Sequence, residues 1–207
     1  MRRWLCLGVV ALSCWFLGMP AARSGDADEF VNKDLSGWEG LISEHWKWDA
    51  EQKAIVGSAP SGLKFNTFLC SKRKYGDFEL SFQVKMTKGA NSGVQIRSEV
   101  ENTKTFQCKG PQCDMGQQYW GSLYGEHFGG MMKAADPKLV QKIVKEGDWN
   151  DYSIRAVGKH ITIKLNGETT VDDDFPKAPA TGVIAFQLHS GGPMEVTFKN
   201  IRFKEIK

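Results

Sequence analysis

The stretch from Asp77 to Met86 alternates without a break. Phe78, Leu80, Phe82, Val84 and Met86 take every second position, and Glu79, Ser81, Gln83 and Lys85 lie between them. Side chains of an extended chain point alternately to opposite faces, so this run has one apolar and one polar face only as a β-strand. Wound into a helix it would scatter its apolar groups around the whole circumference. Such a strand buries its apolar face against another layer of structure.

The remaining sequence supplies those neighbours. Trp46 and Trp48 alternate about Lys47, and Ala54–Gly57, Phe65–Ser71 and Asp151–Val157 read as further strands. His160–Leu165 and Glu168–Asp172 flank Asn166-Gly167, a pair suited to the positive φ angles of a two-residue type I′ hairpin. Gly182–His189 and Met194–Glu205 complete the set, and the apolar parity slips near Asn200, which predicts a bulge. One segment reads as a helix. Asp136 caps it, Pro137 opens it, Leu139, Val140, Ile143 and Val144 form its stripe, and Gly147 could end it. About ten short strands and one short helix predict an all-β, two-sheet antiparallel sandwich of the jelly-roll kind.

The N-terminus has another character. Arg2 and Arg3 precede an apolar run from Trp4 to Met19, and small residues at Ala21, Ala22 and Ser24 offer a cleavage site. Residues 1–24 are therefore expected to be a signal peptide, residues 25–207 a single domain, and the protein to be secreted or periplasmic, with no membrane insertion after processing. Three of the 27 basic residues (Arg2, Arg3 and Arg23) precede Gly25 and no acidic residue does, which leaves 24 of each sign. The slight basic excess belongs to the leader, so nothing in the charge points to nucleic acid. Cys70, Cys108 and Cys113 follow the leader, an odd number that leaves at least one free or intermolecular thiol. Cys108 and Cys113 could close a small loop, or Cys113 could simply be a small core residue.

Strand parity also outlines a site. Gln95 and Arg97 oppose Val94 and Ile96; Gln187 and His189 oppose Phe186 and Leu188; Gln112 and Asp114 again share a face. Amide, guanidinium, carboxylate and imidazole groups on neighbouring strands can hold a polyhydroxylated ligand by many directional bonds. Trp120 and Tyr124 could stack on a sugar ring. An ordinary solvated sheet face would show the same alternation. Asp172-Asp173-Asp174 could hold a divalent cation, but an exposed acidic turn is the plainer reading, and no cofactor is required by any motif. No Gly-rich phosphate loop, HExxH or GxSxG is present.

Several segments together resemble the 3-keto-disaccharide hydrolase family, long catalogued as a domain of unknown function. They are Asn32-Lys33-Asp34-Leu35-Ser36-Gly37-Trp38, the run from Asn91 to Glu99, the run from Gly116 to Glu126, Asp148-Trp149-Asn150-Asp151-Tyr152, Asn166-Gly167, and Gln187-Leu188-His189 through Phe198-Lys199-Asn200-Ile201-Arg202. The resemblance implies a concanavalin A-like jelly roll with a carbohydrate site on its concave sheet. It also implies cleavage of 3-keto-glycosides or 3-keto-disaccharides. A ketone at C3 acidifies the C2 hydrogen, so a base can remove it, the C1 group can leave, and water can add back; direct acid-assisted hydrolysis through two carboxylates is the other route. Asp114, Glu126 and Glu99 are the candidate carboxylates and His189 a candidate base or acid. Arg97, with Gln95 or Gln187, could bind the enolate oxygen. Two other classes stay open: a non-catalytic, lectin-like binding module of the cell envelope, and a structural envelope protein.

Overall fold

The computed structural model describes residues 30–207; the expected leader lies outside the described residues. Two antiparallel sheets of seven strands each carry the fold. In chain order the elements are β1 (Trp38–Glu39), a short helix α1 (Ile42–His45), β2 (Trp46–Asp49), β3 (Ala54–Ala59), β4 (Thr67–Ser71), β5 (Phe78–Met86), β6 (Ser92–Asn102) and β7 (Gln107–Met115). A 3₁₀ turn (Gln117–Tyr119), β8 (Leu123–Glu126), β9 (Gly130–Lys133), α2 (Pro137–Ile143), β10 (Asn150–Val157), β11 (His160–Leu165), β12 (Glu168–Asp174), β13 (Val183–Leu188) and β14 (Met194–Glu205) follow. The first sheet runs β1-β4-β13-β6-β7-β8-β9 and the second β12-β11-β10-β5-β14-β3-β2. Among the described residues no helix is long and apolar enough to cross a membrane.

β5 lies inside the second sheet, paired with both β10 and β14, and its alternation turns one apolar face to the core. Phe78, Leu80, Phe82 and Val84 are at most 3% exposed, while Glu79 and Lys85 on the other face are exposed. Burying such side chains stabilises by roughly 1.5–3 kcal/mol each. Phe186 from β13 meets this layer from the first sheet, 6.2 Å from Phe82 and 4.6 Å from Phe198 between ring centroids. Because Phe186 points into the core, its neighbour Gln187 is directed to the opposite face of the first sheet.

Local signals act where the sequence places them. Asn166 and Gly167 take φ of 50° and 89° in the β11–β12 hairpin, and Asn200 takes φ of 53° where β14 gains its bulge. Asp136 accepts the Lys138 N–H at 2.9 Å and Pro137 opens α2. The helix is shorter than expected, stopping at Ile143 rather than near Gly147, because the Asn166 side chain caps the Ile143 carbonyl at 2.8 Å. Asp172–Asp174 is strand rather than turn. Its carboxylates are engaged: His160 bonds Asp172 at 3.1 Å and Asp174 at 2.8 Å, and Lys133 pairs with Asp173 at 3.0 Å.

Candidate functional site

Register defines the face of the first sheet that points away from the main core, where Gln95, Gln112 and Gln187 are buried. Gln187 lies opposite Phe68, Ala185 opposite both Cys70 and Gln95, Gln95 opposite Gln112, and Gln112 opposite Tyr124. Cross-strand partners share a face, as do residues two apart on one strand. One surface therefore carries Gln187 on β13, Gln95 on β6, Gln112 and Asp114 on β7, and Tyr124 and Glu126 on β8. Strand parity predicted this for Gln95, Gln112, Asp114 and Gln187, and the register of β8 adds Tyr124 and Glu126.

Their polar groups form a chain. The Ser98 hydroxyl donates to Gln95 Oε1 at 2.5 Å, and Gln95 Nε2 donates to Gln112 Oε1 at 3.0 Å. Gln112 Nε2 then donates to Asp114 Oδ1 at 2.7 Å and, more weakly, to Gln187 Oε1 at 3.4 Å. Gly93 makes this path possible. A Cβ at that position would stand 2.7 Å from Gln112 Cδ, so the amide can lie across the strand only over a glycine. Gln187 Nε2 is buried without a partner. Reversing the amide would set its NH₂ against that of Gln112, so the unpaired donor is fixed by its neighbour. A buried donor of this kind costs about 1–3 kcal/mol unless something accepts from it.

Asp114 is 5% exposed. Burial pushes its carboxyl up to about 7; the Gln112 bond opposes that shift and the charge of Glu126 adds to it. A carboxyl that titrates near neutrality, beside amides and an unpaired N–H, can both take and return a proton. The Asp114 backbone is fixed as well, since Tyr152 donates its hydroxyl to the Asp114 carbonyl at 3.1 Å.

The far end of the face is closed by contacts across the sheet. Asn66 Nδ2 donates to Glu126 Oε1 at 2.9 Å, and Asn66 Oδ1 accepts the Ser190 N–H at 2.8 Å. Asn66 precedes β4, which lies four places from β8 in strand order, a span of roughly 19 Å on a flat sheet. The contact therefore requires a deeply curved face. His189 sits beside Ser190, and its Nδ1 lies 2.6 Å from the Ser190 carbonyl oxygen. A carbonyl only accepts, so Nδ1 carries the proton and Nε2 is the free ring nitrogen. Sequence reasoning missed Asn66. Its position two residues before Phe68, on the face of Gln187, was the available signal.

Arg97, Glu99 and Trp120 lie elsewhere. Two β6 residues separate Gln95 and Ser98 where only one β13 residue separates Ala185 and Val183, and β7 likewise shows β6 to be one residue longer between Gln95 and Glu99. Arg97, at φ 48°, is in this bulge. Its side chain leaves the face and donates to the Gly76 carbonyl at 2.7 Å, the Gly158 carbonyl at 2.5 Å and Asp77 Oδ1 at 2.8 Å. It clamps loops between the sheets. Beyond the bulge parity is inverted, so Glu99 is exposed opposite Lys109, on the side away from Gln112. Trp120 is 4% exposed and belongs to the core, turned inward after Gly116 and the 3₁₀ turn. Tyr124, half-buried on the face, remains as the stacking ring.

An open groove of about 600 Å³ lies on the outer face of the second sheet, lined by residues including Ser81, Ser153, Lys164 and Arg202. Its one carboxylate, Asp151, is bonded to Gln83 at 2.9 Å, and it contains no acid–base pair comparable to the Asp114 cluster. Among the described residues no three His, Cys, Asp or Glu side chains converge as a metal site.

The model of a family described as the 3-keto-alpha-glucoside-1,2-lyase-like domain matches residues 26–204. No curated protein matches the sequence. Among solved structures, a candidate glycosyl hydrolase from Parabacteroides distasonis is 22% identical with a TM-score of 0.61, over 84% of this chain and 96% of that one. A second from the same organism is 20% identical with a TM-score of 0.62, over 84% and 91%. The carbohydrate-binding module CBM66 from Bacillus subtilis is 14% identical with a TM-score of 0.59, over 82% and 96%. At these identities the structures establish the jelly-roll fold alone.

Proposed function

The chain belongs to the 3-keto-alpha-glucoside-1,2-lyase-like domain family, and on that footing we propose that it is an exported enzyme that cleaves 3-keto-glycosides by elimination followed by hydration. The observation that carries the reading is Asp114: a buried carboxyl raised to about 7, joined to Gln112 and set on one face with the unpaired N–H of Gln187.

The chemistry assigns work to each group. Asp114 takes the C2 proton made acidic by the C3 ketone, and the electron pair forms the C1–C2 double bond as the C1–O bond breaks. Gln187 Nε2 donates to the C3 oxygen, where negative charge gathers in the transition state. His189, at the far end of the face, relays a proton from solvent through Nε2 to the departing oxygen. Water then adds its oxygen at C1 and a proton at C2, so the net change is hydrolysis. Tyr124 packs against the sugar ring. Gln95, Gln112 and Ser98 hold the amide chain that aims Asp114.

The discriminating experiment incubates the protein with a 3-keto-glucoside and, in parallel, with the same glucoside unoxidised. Aglycone release from the oxidised sugar alone supports the proposal. Equal release from both removes the role of the ketone. Binding of either sugar without release is the result expected of a lectin-like module.

A further inference from the structure

Cys70 and Cys108 are buried and their sulfurs are 3.5 Å apart. Cys70 is on β4 and Cys108 on β7, three places away in strand order, a separation of roughly 14 Å on a flat sheet. They meet because the far end of the β6–β7 hairpin bends across the sheet. There Cys108 packs with Phe68, Cys70 and Ala185, flanked by Val100 and Phe106, in a small apolar cluster separate from the main core. A second tether lies nearby: the Thr67 hydroxyl donates to the Thr105 carbonyl in the hairpin turn at 2.7 Å. Cys113 is excluded from this contact. It lies on the opposite face of β7 from Cys108 and packs in the main core. A Cys108–Cys113 bridge, left open by the sequence, would require part of β7 to turn over.

We propose that Cys70 and Cys108 form a disulfide that staples the β6–β7 hairpin to β4 and fixes it as one wall of the face carrying Gln187. The step is exchange with a disulfide oxidant, either a thiol–disulfide exchange protein or a small disulfide such as oxidised glutathione. Each cysteine gives up its thiol hydrogen, the Sγ–Sγ bond forms, and the oxidant is reduced to two thiols. The sulfurs need only close from 3.5 Å to a bond length of about 2.05 Å. The neighbouring Cys108 sulfur and burial hold the Cys70 thiol well above its ordinary range, and both sulfurs are buried away from an oxidant in the folded protein. The bond therefore forms while the chain folds, before the cluster closes. The proposal stands apart from the catalytic reading, because it concerns the hairpin whatever ligand the face holds.

The full chain is unfolded, refolded in a mixture of reduced and oxidised glutathione, alkylated under denaturing conditions without further reductant, and mapped by peptide mass. The expected result is one linked species, two hydrogens lighter than the Cys70 and Cys108 peptides together, with Cys113 alkylated. Alkylation of Cys70 and Cys108 in the refolded protein, or a bridge to Cys113, overturns the proposal. A second measurement follows thermal unfolding. Dithiothreitol should lower the Tm of the oxidised protein by roughly 10 °C, the effect of a loop of this length on a domain of this size. It should leave Cys108→Ala unmoved. An equal shift in that variant would refute the assignment, and should the variant fail to fold, the peptide map decides alone.

Discussion

Asp114→Asn separates the cost of the site from its use. Asn has the same shape and keeps an Oδ1 for the Gln112 N–H that now donates to Asp114 at 2.7 Å. It removes only the ionisable proton. In the folded protein the Asp114 pKa is about 7 against an ordinary 3.8. The folded state thus favours the neutral carboxyl. The stability that goes with it is complete below about pH 4, where both states are protonated, and is lost as pH rises through about 7. Between those values the unfolded chain ionises and the folded chain does not. By pH 8 the accumulated loss is on the order of 4 kcal/mol, since each tenfold difference in proton affinity between the two states is worth about 1.4 kcal/mol. The variant escapes this loss. Urea unfolding of both proteins at pH 5, 6, 7 and 8 measures it: Asp114→Asn should be more stable than wild type at pH 8, with the gap narrowing toward pH 5. Turnover of a 3-keto-glucoside by the same variant should fall by roughly 10²-fold or more, the scale of a lost acid–base group. Parallel stability curves for the two proteins between pH 5 and 8 would refute the raised pKa and with it the argument for Asp114 as the proton carrier.

Other substitutions test the surrounding geometry. Gly93→Ala should displace the Gln112 amide, which leaves no room for a Cβ, and reduce kcat by roughly 10²-fold, the cost of misplacing a catalytic group by about 1 Å; unchanged kcat with a folded variant would show that the path over Gly93 does not aim Asp114. Gln187→Leu removes a buried donor that has no partner, so thermal melting should change little while turnover drops; a large loss of Tm would mark the amide as structural. Arg97→Met should destabilise the fold by roughly 3 kcal/mol through loss of its bonds to Asp77 and the loop carbonyls, and its folded fraction should retain wild-type KM. Glu99→Gln, exposed on the other side of β6, should alter neither turnover nor stability, as parallel kinetics and melts will show.

The sandwich was legible because its strands carry apolar markers. Phe78 to Met86 could pair only one way round, and the slip at Asn200 was visible because Phe198 and Ile201 fall out of step. The bulge in β6 had no such marker. After Ile96 the residues are Arg97, Ser98 and Glu99, all polar, so nothing apolar revealed that the parity had changed. That single extra residue took both Arg97 and Glu99 out of the site. Gln95, Gln112, Asp114 and Gln187 were placed correctly because each lies beside a core residue that fixes its face: Val94, Cys113, Met115 and Phe186. Trp120 was misplaced because an aromatic between glycines serves a surface or a core equally well until the turn is known. The bend that brings Cys108 to Cys70 and Glu126 to Asn66 is a property of the whole curved sheet, and no local pattern encodes it.

The most direct test of elimination at Asp114 is to follow hydrogen at C2. The protein is given a 3-keto-glucoside in D₂O, and the released 3-keto-glucose is analysed by mass and NMR, with spontaneous exchange of the free ketone subtracted as a blank. Elimination and hydration deliver the C2 hydrogen from solvent, so the product should carry deuterium at C2, and Asp114→Asn should lose cleavage and enzymic exchange together. A product that keeps its original C2 hydrogen, formed at the wild-type rate, would contradict the account and point to direct displacement at C1.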